Sequence, residues 1–255
     1  MLKKQTTKKK HAVEKHAPAE CRVPDNIPVV PKFRAIVADP PWTKNMTGSG
    51  GSYGAAINHY DLMSLERIKA LPVNELTADD AYLFLWVMNS NVDEGLEVMK
   101  DWGFRHITMF HWIKPKLGMG NHLRNASETC LVGVRGKIKP RCRTQINWLV
   151  SYPTIHSEKP REFTSVVERL TEGPYLELFC RRRPASHEKW YCWGNETEDG
   201  ADIFIPGYPV PKYSFENERV GNDDAVNIKP EGMNDIKDLP ENNSLETDNT
   251  DGEEV

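Results

Sequence analysis

Short apolar runs alternate with stretches of helical periodicity between residues 33 and about 200. Phe33–Ala38 (FRAIVA) is apolar, partly β-branched and stops at Asp39-Pro40-Pro41, where prolines cannot donate to a sheet ladder, so a buried strand ending in a rigid loop is expected. Ala81–Val87 (AYLFLWV) is a continuous apolar run of strand length, as in a parallel strand covered on both faces. Ser64–Leu71 reads as a short helix capped by Ser64, and Val92–Trp102 as a helix closed by Gly103. Phe104–Trp112 and Thr129–Val134 read as strands. Over Lys159–Leu170, Phe163, Val166, Val167 and Leu170 recur at helical spacing, Gly173-Pro174 punctuates the end, and Tyr175–Phe179 (YLELF) follows as strand. Such alternation predicts an α/β layered domain.

The ends differ from this middle. Residues 1–25 predict a disordered basic arm, 26–212 the folded domain, and 213–255 a disordered acidic tail, because few aromatics remain there to offset the entropy of ordering. Residues 1–16 carry six lysines against Glu14, residues 211–255 carry four Lys/Arg against thirteen Asp/Glu, and the overall net of −4 leaves the middle neutral. A neutral domain has little charge of its own for phosphates, so a partner subunit or a homodimer that adds grip is expected. No window approaches a membrane-spanning run, and MLKKQTTKKK lacks the apolar core of a signal peptide. The five cysteines show no metal-ligand spacing, which predicts reduced thiols, no metal and a cytoplasmic protein.

Ligands of open α/β sheets bind beyond the carboxyl ends of strands, so the loops after FRAIVA and YLELF are the candidate site. Asp39-Pro40-Pro41-Trp42 suits an aromatic amine: a carboxylate and a fixed carbonyl accept its two N–H bonds while a ring stacks on the base. Holding both hydrogens frees a delocalised lone pair for in-line attack on a methyl donor. A lone DPPW is equally a proline turn, so its neighbours decide.

Those neighbours resemble, in order, the family of the eukaryotic messenger-RNA adenosine methyltransferase catalytic subunit and its bacterial and phage DNA adenine methyltransferase relatives. The resemblance runs from FRAIVADPPW through Met63-Ser64, Leu71-Pro72-Val73, Ala81–Val87, Trp102-Gly103-Phe104 and Trp112-Ile113-Lys114. It continues through Glu128–Gly136, Ser157-Glu158-Lys159-Pro160, Glu177-Leu178-Phe179 and Trp190–Glu196. It implies a single-domain, Rossmann-like SAM-dependent methyltransferase with permuted motif order, the catalytic strand preceding the cofactor strand. The implied cofactor is S-adenosyl-L-methionine and the implied target the N6 amine of adenine in nucleic acid, DNA in preference to RNA, in a bacterial or phage-host cytosol, with an RNA adenosine N6 methyltransferase as the alternative. A non-catalytic nucleic-acid-binding subunit on the same fold is the rival reading, against which Asp39 and Trp42 argue.

The resemblance also distributes roles. Asp39 and the Pro40 carbonyl take the amine, Pro41 sets the geometry, and Trp42 supplies the stacking face. Glu128 falls where relatives have an acidic residue near the acceptor adenine, and Lys114 is a further substrate contact. Tyr53, in the glycine-rich stretch Gly48–Gly54, is expected to close over the base. Lys159 contacts the amino-acid end of SAM or the substrate, Arg181 reaches its ribose or carboxylate, and Asn195 and Glu196 suit the ribose diol. Relatives carry glutamine at the Glu196 position. Arg182 and Arg183 read as surface or phosphate contacts, and His187 as a position without an assigned role.

Overall fold

A computed structural model describes residue 24 and residues 26–43, 62–118, 122–153, 158–186 and 189–219. The elements in chain order are β1 (Phe33–Ala38), α1 (Leu65–Lys69), α2 (Val73–Leu76), β2 (Thr77–Val87), α3 (Val92–Asp101) and β3 (Arg105–Ile113). Then come β4 (Ser127–Arg135), β5 (Trp148–Val150), α4 (Glu162–Leu170), β6 (Tyr175–Leu178), β7 (Trp190–Trp193) and a 3-10 helix, Ser214–Arg219. Seven strands form one mixed sheet in the order β5-β3-β4-β2-β1-β6-β7. Every pairing is parallel except those of β4 with β2 and β3. The β3–β4 connection explains the exception: Lys114 N donates to Ala126 O at 2.7 Å and Gly118 N to Asn125 O at 2.8 Å, so the two strands continue as hairpin arms, which only antiparallel partners permit.

The alternation along the strands divides the core between the two sheet faces. On one, Ile36, Ala38, Leu83, Leu85 and Leu131 meet Ile68 of α1 and Val98 and Met99 of α3. On the other, Ala35, Val37, Phe84, Trp86, Phe110 and Trp112 meet Phe163, Val166 and Val167 of α4, with the Phe163 ring 4.8 Å from that of Trp86 and 5.1 Å from that of Phe110. Ser64 caps α1, its hydroxyl accepting from Arg67 N at 3.3 Å. Gly103, at φ +82°, ends α3 in a conformation that disfavours any side chain.

Three expectations need correction. Helix α4 begins at Glu162 rather than Lys159, because Pro160 pushes the residue before it out of the helical region. Strand β2 starts at Thr77, four residues early, and is parallel to β1 but antiparallel to β4. The folded domain also passes residue 212: Tyr213 is buried against Phe204 and Phe215, bridges to Ala201, and leads into the 3-10 helix. Aromatic packing thus holds the chain to the last aromatics before the acidic composition begins. Most of the expected arm, and the tail after residue 219, lie outside the described residues. Among the described residues no helix is long and apolar enough to cross a membrane.

Candidate active site

Since β1, β2, β3, β5, β6 and β7 all point the same way, their carboxyl ends share one rim, and antiparallel β4 brings its first residues there. Asp39 leaves β1 at the centre of this rim, Glu128 enters β4, Lys114 leaves β3, and Lys159 arrives from the extended segment before α4. Lys159 Nζ is 2.5 Å from Asp39 Oδ2 and 3.3 Å from Glu128 Oε2, while Lys114 Nζ is 2.7 Å from Glu128 Oε1. Charges therefore alternate along four side chains, anion, cation, anion, cation. Beneath them lie indoles: Lys159 Nζ is 5.4 Å from the Trp86 ring centre and Lys114 Nζ 5.1 Å from that of Trp112.

Burial alone would lower the Lys159 pKa, but the Asp39 and Glu128 carboxylates outweigh it and hold the ammonium above its ordinary value. Burial would raise the Glu128 carboxyl, and Lys159 and Lys114 reverse that, leaving it below the usual range. Both groups are charged at neutral pH, as the geometry of the chain requires.

The DPPW loop is fixed by its own backbone. Trp42 N donates to Pro40 O at 2.8 Å, and Met63 N donates to Pro41 O at 2.9 Å, which ties the loop to the start of α1. The Trp42 indole is 7 % exposed, donates from Nε1 to Trp86 O at 2.9 Å and belongs to the core on the α1 side. What remains of it borders a cleft of about 250 Å³ shared with Thr43, Met63, Ser64, Leu65, Glu66 and Glu94. Trp42 is thus a fixed wall and not a free ring.

A second group of polar side chains gathers beyond β6 and β7. Arg181 Nε lies 3.4 Å from Glu196 Oε2, and Asn195 is exposed beside it. Gly194 makes this approach possible: a Cβ there would stand 2.3 Å from the Cys180 carbonyl oxygen. Thr197 ties the two loops, its hydroxyl donating to Cys180 O at 3.0 Å. Arg183, expected at the surface, instead grips Asp202 with two bonds of 2.6 and 2.7 Å and donates to Gly200 O at 2.9 Å, while Asp202 accepts from Cys192 N at 2.8 Å. That correction has a simple cause: the carboxylate partner stands nineteen residues away in sequence, on the turn after β7.

Sequence reasoning passed over Glu177. It pairs with Val37 of β1 and Cys192 of β7 and lies near enough to Asp39 and Lys159 to feel both charges, so it faces the crevice at the carboxyl ends of β1 and β6. Burial first, and then the Asp39 charge, raise its carboxyl to about 8, against an opposing effect of Lys159. Its side chain makes no hydrogen bond or ion pair with the described residues. Its carboxylate and the Cys180 and Cys192 sulfurs lie within 4.8 Å of one another, the one group of potential metal donors among the described residues. Hydrogen bonding between the two thiols, and burial, raise Cys180 far above the ordinary thiol range, which opposes the thiolate a metal needs. The signal available in sequence was the acidic residue interrupting the apolar run YLELF.

Of the site residues expected from sequence, Asp39, Glu128, Lys114 and Lys159 meet in one ionic chain, and Arg181, Asn195 and Glu196 meet at the β6–β7 end. Tyr53 and His187 lie outside the described residues.

A mixed seven-stranded sheet with helices on both faces, carrying its polar groups on the rim where the parallel strands end, defines a Rossmann-like α/β domain of the kind methyltransferases use. The MT-A70 family model matches residues 33–196, which covers β1 through β7, and the chain belongs to the MT-A70 family. It is similar to the putative N(6)-adenosine-methyltransferase MT-A70-like of Medicago truncatula, 30% identical over 177 residues that cover 66% of this chain and 27% of that protein. Against the N(6)-adenosine-methyltransferase MT-A70-like protein of Drosophila melanogaster it is 30% identical over 188 residues, 70% of this chain and 29% of that one. The type II methyltransferase M.MunI of a Mycoplasma species is 28% identical over 194 residues, 69% of this chain and 82% of that one. The chain thus spans under a third of the plant and insect adenosine methyltransferases and most of the bacterial enzyme.

Proposed function

We propose that this chain is a site-specific methyltransferase that moves a methyl group from S-adenosyl-L-methionine to the N6 amine of adenine in nucleic acid, DNA in preference to RNA. The observation that carries the reading is Asp39, held at the end of the central parallel strand by Lys159, which is itself shared with Glu128. The preference for DNA rests on the match along most of a bacterial type II methyltransferase.

The donor set fits SAM. An otherwise unpaired Glu177 carboxyl suits a cationic amino-acid end, and Lys159 suits its carboxylate. Arg181, Asn195 and Glu196 suit a ribose diol, at a place where Gly194 leaves room for close backbone approach. Bound SAM supplies an electrophilic methyl on a sulfonium. The rest is done by the chain. Asp39 accepts one amine N–H. The Pro40 oxygen accepts the other, its second lone pair being available beside the bond from Trp42 N. As the amine takes one oxygen of Asp39, Lys159 stays between Asp39 and Glu128 and keeps the Asp39 charge compensated. Trp42 forms the wall against which the base is aligned, and Asp39 is the nearest acceptor for the proton that the amine sheds. Removing water from this crevice strengthens each contact.

The test is methyl transfer from labelled SAM to matched DNA and RNA oligonucleotides, with nucleosides identified by mass spectrometry. N6-methyladenine on DNA supports the reading, the same product on RNA alone reverses the polymer, and a folded protein that binds SAM yet modifies neither contradicts it.

A further inference from the structure

The neutral sum expected of the middle domain conceals a division. Residues 62–104 hold eight Asp/Glu against three Lys/Arg, whereas residues 105–153 hold nine Lys/Arg against Glu128 alone. In the fold the first stretch is α1, α2, β2 and α3, and the second is β3, β4 and β5, one edge of the sheet. Arg105 opens β3, Arg135 closes β4, and Lys137, Lys139 and Arg141 follow it, so these five stand at the end of the sheet away from the Asp39 rim; Lys114 is paired with Glu128, which leaves Lys116 and Arg124 as the cations of the edge near the rim.

Two parts of that edge reach the rim that carries Asp39. The first is the pair of hairpin arms beyond β3 and β4, rooted at Lys114 and Glu128. On them Lys116 and Arg124 are exposed, neither with a carboxylate partner among the described residues, and between these cations stand Leu117 and Leu123, 74 % and 83 % exposed. The second is edge strand β5, where Trp148 and Val150 remain exposed beside Ile113, and Tyr152 beyond its end is 69 % exposed. Exposed large apolar side chains grouped around unpaired cations mark a binding surface and not a solvated face.

Resting on the adenine-methyltransferase reading, we infer that the substrate strand leaves the catalytic centre along this edge, its phosphates on Lys116 and Arg124 and its bases against Leu117, Leu123, Trp148 and Tyr152. The span fits. From β1 to β3 is three strand spacings and to β5 four, roughly 14 and 19 Å, which equals about four to six base steps at the 3.4 Å rise of a B-form strand. Cations hold the backbone without reading sequence, while exposed rings stack on bases and leucines fill space beside an extruded one. Glu66 and Glu94, which border the cleft beside Trp42, repel the same polymer, so the path turns away from them toward Lys116 and Arg124.

Fluorescein-labelled adenine-containing oligonucleotides, single-stranded and duplex, titrated by anisotropy from 50 to 300 mM NaCl, test this, with SAM affinity measured alongside. Lys116→Ala with Arg124→Ala is expected to weaken binding tenfold or more at 100 mM NaCl and to lower the slope of log K against log salt by about two. Trp148→Ala with Tyr152→Ala is expected to weaken single-strand binding tenfold or more at an unchanged slope. Lys100→Ala on α3 and the SAM affinity of every variant are expected to match wild type. Wild-type affinity and slope in both double variants would overturn the path, as would a change in sedimentation of the Trp148/Tyr152 variant without a change in oligonucleotide binding, which would make β5 a protein interface. A wild type that binds SAM but no oligonucleotide at any salt would instead overturn the underlying function.

Discussion

Lys159 Nζ meets Asp39 Oδ2 at 2.5 Å across 120 residues of sequence, and it is the same ammonium that reaches Glu128. Two carboxylates, one on the loop after β1 and one at the start of β4, are thereby held close with one cation between them. The arrangement keeps the residue assigned to the amine in place before substrate arrives, and it gives Lys159 a second anchor when that residue is taken.

Replacing Lys159 by methionine leaves Asp39 without its cation and Glu128 with Lys114 alone. Removing one partner of a fully buried charge pair costs about 3–5 kcal/mol; with a fifth of the Lys159 side chain exposed, a smaller loss is expected, seen as a Tm several degrees lower. Lys159→Met together with Glu128→Gln should recover part of that Tm but none of the SAM affinity, which falls at least tenfold in both. Differential scanning calorimetry and titration calorimetry separate the two effects.

Glu177 makes stability depend on pH with a definite sign. Its folded pKa of about 8 stands above the unfolded value of 4.5, so the unfolded chain releases the proton first. Its contribution therefore falls as pH rises from 4.5 to 8 and is constant above. Tm measured from pH 5 to 9 should show Glu177→Gln gaining on wild type through this window and levelling beyond it; parallel curves would exclude a raised Glu177. If the carboxylate receives a cation of the cofactor, SAM binding at pH 7 releases a proton from wild type and less from Glu177→Gln, measured by titration calorimetry in buffers of different ionisation enthalpy.

Much of this site was legible in the sequence. FRAIVA ends at two prolines, and a strand so ended places Asp39 on the rim whatever surrounds it. Other features were not. Strand β5 has three residues, Trp148–Val150, too few for a periodicity, and it exists because β3 offers an edge. The reversal of β4 depends on the arms that lead into it. Glu177 reads in sequence as one polar residue in YLELF, and only its register between Val37 and Cys192 gives it the crevice. Arg183 looked like its neighbours Arg181 and Arg182 until Asp202 was folded against it.

Gly194 lets the β6 and β7 loops approach, and a methyl group there would meet the Cys180 carbonyl at 2.3 Å. Gly194→Ala should destabilise by about 1–3 kcal/mol through backbone displacement and weaken SAM binding, since Arg181 and Glu196 are then no longer apposed. Chemical denaturation with SAM titration checks both, and Gly207→Ala, where no neighbouring atom lies within 4 Å, separates crowding from the strain of a positive φ.

Methyl transfer as proposed depends above all on Asp39 accepting the target amine. The measurement is single-turnover methyl transfer to an adenine-containing DNA oligonucleotide by wild type and Asp39→Ala, with SAM affinity determined for both. Loss of a positioned acceptor should lower the rate by a factor of about 100 or more while SAM affinity changes by less than tenfold. N6-methyladenine formed by Asp39→Ala at the wild-type rate would remove Asp39 from the chemistry.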